Sequence, residues 1–205
     1  PQVDPAIGEK AAHWHESDFD DADWSRVALP AEWSDLGFDF NGAVWFRKRF
    51  DVPEDLAGRA CELSLGILND FDVTYVNGTR VGLTDASTPQ WWDAPRYYQV
   101  PASVLRAHDN VIAIRLFDQW EDGWIKEAAG HRMRLSSPDV PGIEVLLRGE
   151  WRCEIESCLP MRGVKTAQPC GHFHAMVAPL TRYSLRGFLW YQGEANSERA
   201  YQYRT

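Results

Sequence analysis

The chain has 205 residues, with 21 Lys and Arg against 30 Asp and Glu, a formal net charge of −9 and 44% apolar residues. That apolar share supports a packed core and excludes a mainly disordered chain, and no apolar run nears the ~20 residues that cross a bilayer. The acidic balance argues against a nucleic-acid partner, because tracking phosphates needs a basic face.

Residues 1–20 read as a polar lead-in. The start, Pro1-Gln2-Val3-Asp4, lacks the charge and apolar run of a signal peptide, and reads as that of a processed or excised piece. Asp18, Asp20, Asp21 and Asp23 are spaced like calcium-loop acids, but Asp23 stands where such a loop turns on glycine. A solvated acidic stretch is the simpler reading. From Trp24 to Leu135 short extended runs alternate with turns. Residues 43–50 are aromatic-rich and stop at Val52-Pro53, and residues 60–65 alternate apolar with polar. Residues 71–76 lead into Asn77-Gly78, a strong hairpin signal, then 79–82. Residues 96–100, 110–117 and 133–135 complete the set, with one helical turn expected near 103–107. Strands at this spacing predict a mainly β chain folded as an antiparallel jelly-roll sandwich over residues 21–137.

After Pro138 the pattern changes. Residues 143–147 and 150–155 each suit a strand, and 160–171 a loop. Residues 186–191 form an apolar run without alternation, as in a strand buried on both faces, and 197–204 suit the first turns of a helix. A partial α/β segment over 138–205 follows. Gln192, Glu194 and Asn196 gather at the end of that strand, where a carboxamide can donate to an oxyanion; from spacing alone an ordinary loop with a helix cap is the simpler reading.

The cysteines are Cys61, Cys153, Cys158 and Cys170. A Cys153–Cys158 bridge and a zinc set completed by Cys170 and His172 are both open, but the spacing fits no standard finger. His13-x-His15 and His172-x-His174 read as structural pairs without a third ligand, so neither a metal nor another cofactor is expected. No Gly-x-Ser-x-Gly elbow, phosphate-binding glycine loop, His-Glu-x-x-His or Cys-x-x-Cys occurs.

Trp190 to Asn196, followed by Arg199-Ala200 and Tyr201 to Arg204, resembles the third sequence block of bacterial sialate O-acetylesterases, which are SGNH-type serine esterases. Residues 41–47, 70–78, 96–101 and 110–115 resemble the galactose-binding-like jelly roll that many members carry as an insert. His174, Ala195 and the run Asp122-Gly123-Trp124-Ile125 depart from that pattern. The resemblance implies a carboxylic ester hydrolase that removes acetyl groups from sialic acid or related sugars outside the cytoplasm, with an acetylated carbohydrate as partner. It makes Gln192 the oxyanion donor and Glu194 its orienting neighbour. Gly193 would allow close backbone approach, and Asn196 polar contact. The family's Ser nucleophile and its His and Asp have no counterpart here, so this chain alone is expected to be inactive.

Ten Trp is a surplus. Trp45 and Trp190 sit in strand motifs and read as structural. Trp91, Trp92, Trp120 and Trp124 remain, either as core and loop anchors or as stacking platforms for a sugar. A non-catalytic carbohydrate-binding β-sandwich module is therefore the alternative reading.

Overall fold

The computed structural model describes residues 6–120 and 122–159. The chain divides into two units, Pro1–Met161 and Arg162–Thr205, and the described residues belong to the first. In chain order its strands are β1 (Ser25–Leu29), β2 (Ala31–Glu32), β3 (Gly42–Phe50), β4 (Cys61–Asn69), β5 (Phe71–Val76) and β6 (Thr79–Thr84). Then come β7 (Pro95–Val100), β8 (Asn110–Asp118), β9 (Trp124–Lys126), β10 (Arg134–Ser136), β11 (Glu144–Leu146) and β12 (Gly149–Cys158). They form two antiparallel sheets, one ordered β1-β12-β3-β8-β5-β6, the other β11-β10-β4-β9-β2 with β7 also on β4.

Side-chain alternation explains how the sheets face each other. Val44 and Phe46 of β3 join Ile112, Ile114 and Leu116 of β8 in one buried cluster, together with Leu63, Leu65 and Leu68 of β4. Residues 63 and 65 keep period two, but 68 breaks it. The cause is a bulge at Gly66, where the pairing of β4 with β7 shifts register. Gly66 has φ +77°, and a Cβ there would lie 2.2 Å from the Lys126 carbonyl oxygen. Only glycine fits, and the bulge returns Leu68 to the core. The hairpin at Asn77-Gly78 forms as expected, with φ of 49° and 79°, and joins β5 to β6.

The outer face of the first sheet is covered rather than solvated. Trp45 and Ala113 on that face pack against Ala11, Trp14 and Trp24. Trp14 meets Trp24 edge-on, with ring centroids 5.0 Å apart. The Arg47 guanidinium is fully buried and holds this layer down, donating to Asp21 Oδ2 at 2.8 Å and to the carbonyls of Trp14, Glu16 and Phe19. The solvated lead-in expected before residue 24 is thus corrected. Two buried indoles, each stabilising by roughly 3 kcal/mol, pull it onto the sheet.

The expected domain boundary at 137 falls inside this unit. β12 runs between β1 and β3, and β11 pairs with β10. β12 reads as part of a second segment because its partners, β1 and β3, are far away in sequence. The helical turn expected near 103–107 is only a hydrogen-bonded turn, from the Val104 amide to the Pro101 carbonyl at 3.0 Å. Among the described residues the only helix is a 3₁₀ turn, Glu9–Ala11, and none is long and apolar enough to cross a membrane. No α/β segment is seen among them; the strand and helix expected at 186–204 lie outside the described residues.

Candidate functional site

At one end of the sandwich a pocket of about 220 Å³ is lined by Asn69, Asp70, Trp91, Trp92, Gln119, Trp120 and Trp124. All four tryptophans singled out from the sequence line it. They come from three places. Trp91 and Trp92 lie on the loop between β6 and β7, Trp120 follows β8, and Trp124 opens β9 opposite Asn69 of β4.

A buried ion pair fixes the loop that carries the tandem tryptophans. Arg96, 1% exposed, donates Nε to Asp72 Oδ1 at 2.7 Å. Its Nη2 donates to the carbonyls of Leu68 and Asp70 at 2.8 and 2.7 Å, and its Nη1 to that of Ala94. The foot of the loop is thereby tied to the β4–β5 turn. Tyr98 Oη also donates to Asp72, and sits 2.8 Å from Thr84 Oγ1. Within the loop, Gln90 has φ +53° and its carbonyl accepts from Asp93 and Ala94, both at 2.9 Å. This turn sets Trp91 against Phe71, centroids 5.6 Å apart, and Trp92 perpendicular to Trp91 at 5.1 Å. Trp92 is 45% exposed and Trp120 59%.

The polar groups behind the indoles are buried. Asp70 Oδ2 accepts from the Gln119 amide at 3.1 Å, and burial holds its carboxyl above the ordinary range. Asp118 lies next in the chain to Gln119. Its Oδ2 accepts from the Asn41 side chain, while its buried Oδ1 has no hydrogen-bond partner. Burial pushes Asp118 up to about 7, and the nearby Asp70 charge adds to this. Asn69 is 5% exposed, and its Oδ1 has no hydrogen-bond partner. An unmet buried acceptor costs free energy, which a ligand donor would recover. Lys126 Nζ stands 4.0 Å over the Trp124 ring and 2.9 Å from Glu32 Oε1. Gly123 lets this loop close, since a Cβ would lie 2.7 Å from the Trp33 ring.

Asn69, Asp70 and Gln119 escaped sequence reasoning. Polar residues at strand ends look like turn residues, and only the fold brings Asn69-Asp70 beside Gln119. Gln192, Gly193, Glu194 and Asn196 lie outside the described residues. The possible Cys153–Cys158 bridge is absent. Cys153 is buried and Cys158 exposed, both free. On one strand, five residues separate them by roughly 16 Å, well past the ~7 Å that a bridge spans. Asp21, one of the calcium-loop acids, is paired with Arg47, and His15 lies 4.7 Å from the Tyr75 ring. Among the described residues no group of three or more His, Cys, Asp or Glu could hold a metal ion.

No family model and no curated protein matches the chain. Solved structures do. Bacteroides uniformis β-glucuronidase is 17% identical with a TM-score of 0.47, covering 69% of this chain and 16% of that one. Lactobacillus rhamnosus β-glucuronidase is 16% identical with a TM-score of 0.46, covering 75% and 23%. A glycosyl hydrolase family 2 member from Bacteroides cellulosilyticus is 19% identical with a TM-score of 0.46, covering 56% and 17%. The chain thus spans a quarter or less of these proteins. These findings overturn the resemblance to sialate O-acetylesterases and, with it, the reading as a carboxylic ester hydrolase. The similar structures named above are two β-glucuronidases and a family 2 glycosyl hydrolase.

Proposed function

We propose that this chain is a carbohydrate-binding β-sandwich module whose sugar site is the tryptophan pocket. The observation that carries the reading is the convergence of four indoles, from the β6–β7 loop, the β8–β9 loop and the start of β9, around buried Asn69, Asp70 and Gln119. A sugar ring has an apolar C–H face and a rim of hydroxyls. Indole faces suit the first, and side-chain acceptors and amides the second.

The test is a titration of intrinsic tryptophan fluorescence with a panel of hexosides and a sialoside. A saturable change is expected. Covering roughly 60 Å² of indole is worth about 1.5 kcal/mol, so Trp120→Ala weakens binding about tenfold. Because Trp120 is exposed, its melting temperature stays unchanged. An acetylated hexoside in the panel, set against its parent sugar, tests the expected preference for acetylated carbohydrate. A flat signal across the whole panel overturns the proposal.

A further inference from the structure

We infer that the ligand of this pocket is a neutral hexose held as a single ring, and that the same ring bearing a carboxylate is rejected; the inference rests on the carbohydrate-binding reading. The volume, about 220 Å³, is below the ~300–1,000 Å³ of pockets for drug-sized ligands, which suits one ring rather than an oligosaccharide.

The charge around the pocket excludes an acid. No Lys or Arg lines it among the described residues, whereas Asp70 does. Asp118 lies close enough to Asp70 and Asp122 to feel both charges. Among the described residues two cations stand nearby, and each is already matched. Arg96 is buried on Asp72 at 2.7 Å, and Lys126 is shared between Glu32 and the Trp124 face. A sugar carboxylate would therefore shed water beside the Asp70 carboxyl, with no uncommitted cation among the described residues to meet it. The unmet polar atom points the same way. Asn69 Oδ1 is an acceptor in a residue 5% exposed, so it selects a donor. A hydroxyl can supply that proton, and a carboxylate has none to give.

The experiment is calorimetric titration of the whole chain with two matched pairs. These are methyl β-glucopyranoside against methyl β-glucuronide, and methyl β-galactopyranoside against methyl β-galacturonide. Within each pair the ring is the same and only the C6 group changes from hydroxymethyl to carboxylate. In whichever pair binds, the neutral member is expected to bind at least tenfold more tightly. Asp70→Asn narrows that ratio severalfold, since its amide still accepts from Gln119 but carries no charge. Far-UV circular dichroism verifies that this variant folds; if it does not, the ratio on the unaltered chain decides. A uronide that binds as tightly as its neutral partner overturns the inference and leaves the sugar reading standing. No binding by either pair, with a flat fluorescence panel, overturns both.

Discussion

Among the described residues three buried arginines each meet a carboxylate: Arg47 on Asp21, Arg96 on Asp72 and Arg115 on Glu156. Arg96 matters most to the pocket, because one guanidinium links the β4–β5 turn to the base of the tryptophan loop. Arg96→Ala leaves Asp72 buried without its cation and is expected to cost about 3–5 kcal/mol. Thermal melting measures the loss, and an unchanged midpoint would refute the role. Asp118 makes a different prediction, in pH. Unfolded, it ionises near pH ~3.9, whereas burial in the fold holds it protonated to about 7. Between those values the folded chain keeps a proton that the unfolded chain has lost, so this group's contribution to stability falls as pH rises. The fall is about 2 kcal/mol from pH 5 to pH 7. Asp118→Asn removes it, so the stability of the variant relative to the parent climbs across that window and then levels off. Parallel stability curves would refute the assignment.

Among the elements, the entry to β9 depends on Gly123, which abuts the Trp33 ring. Gly123→Ala drives a methyl into Trp33 and is expected to cost about 1–3 kcal/mol by overpacking. It also weakens sugar binding, because Trp124 is the next residue; equal affinity in a folded variant would count against the pocket. The strands β3 to β8 were legible in the sequence. Residues 61–65 of β4 alternate apolar with polar, residues 43–50 of β3 are aromatic-rich, and Asn77-Gly78, Pro53 and Pro101 mark strand ends. β1, β2 and β9 were not, since two to five residues held by distant partners leave little periodic trace. The tryptophans were identified by elimination, as residues without a place in a strand motif. Their convergence needed the fold, as did the roles of Asn69 and Gln119. Trp14 was missed because the pattern around it is polar, and its partners Trp24 and Trp45 lie on other elements.

For the whole molecule, the sheet order makes residues far apart in sequence depend on one another. β12 fills the place between β1 and β3, while residues 6–24 cap the sheet's outer face. A chain of residues 21–137 lacks β12 and most of the cap, leaving Trp45 without Trp14 against it and β3 without a neighbour on one side. It is expected to show no cooperative melt by circular dichroism, whereas residues 6–159 melt in one transition. A stable 21–137 would mean that the cap and β12 are accessories.

The same order bears on how the chain is made. Ser25 of β1 pairs with Cys153 of β12, and Phe46 of β3 pairs with that same Cys153. At roughly 5–20 residues per second, a ribosome needs about 6–25 s to travel from the first strand to the last. From the time β8 is made until β12 follows, the nascent chain presents β3, apolar on both faces, with one edge open. Such a strand recruits whatever edge is nearest, including that of a neighbouring nascent chain. Trigger-factor-type holdases and a brisk pace of translation through β12 are therefore expected to set the yield of this protein more than the stability of its finished sheets.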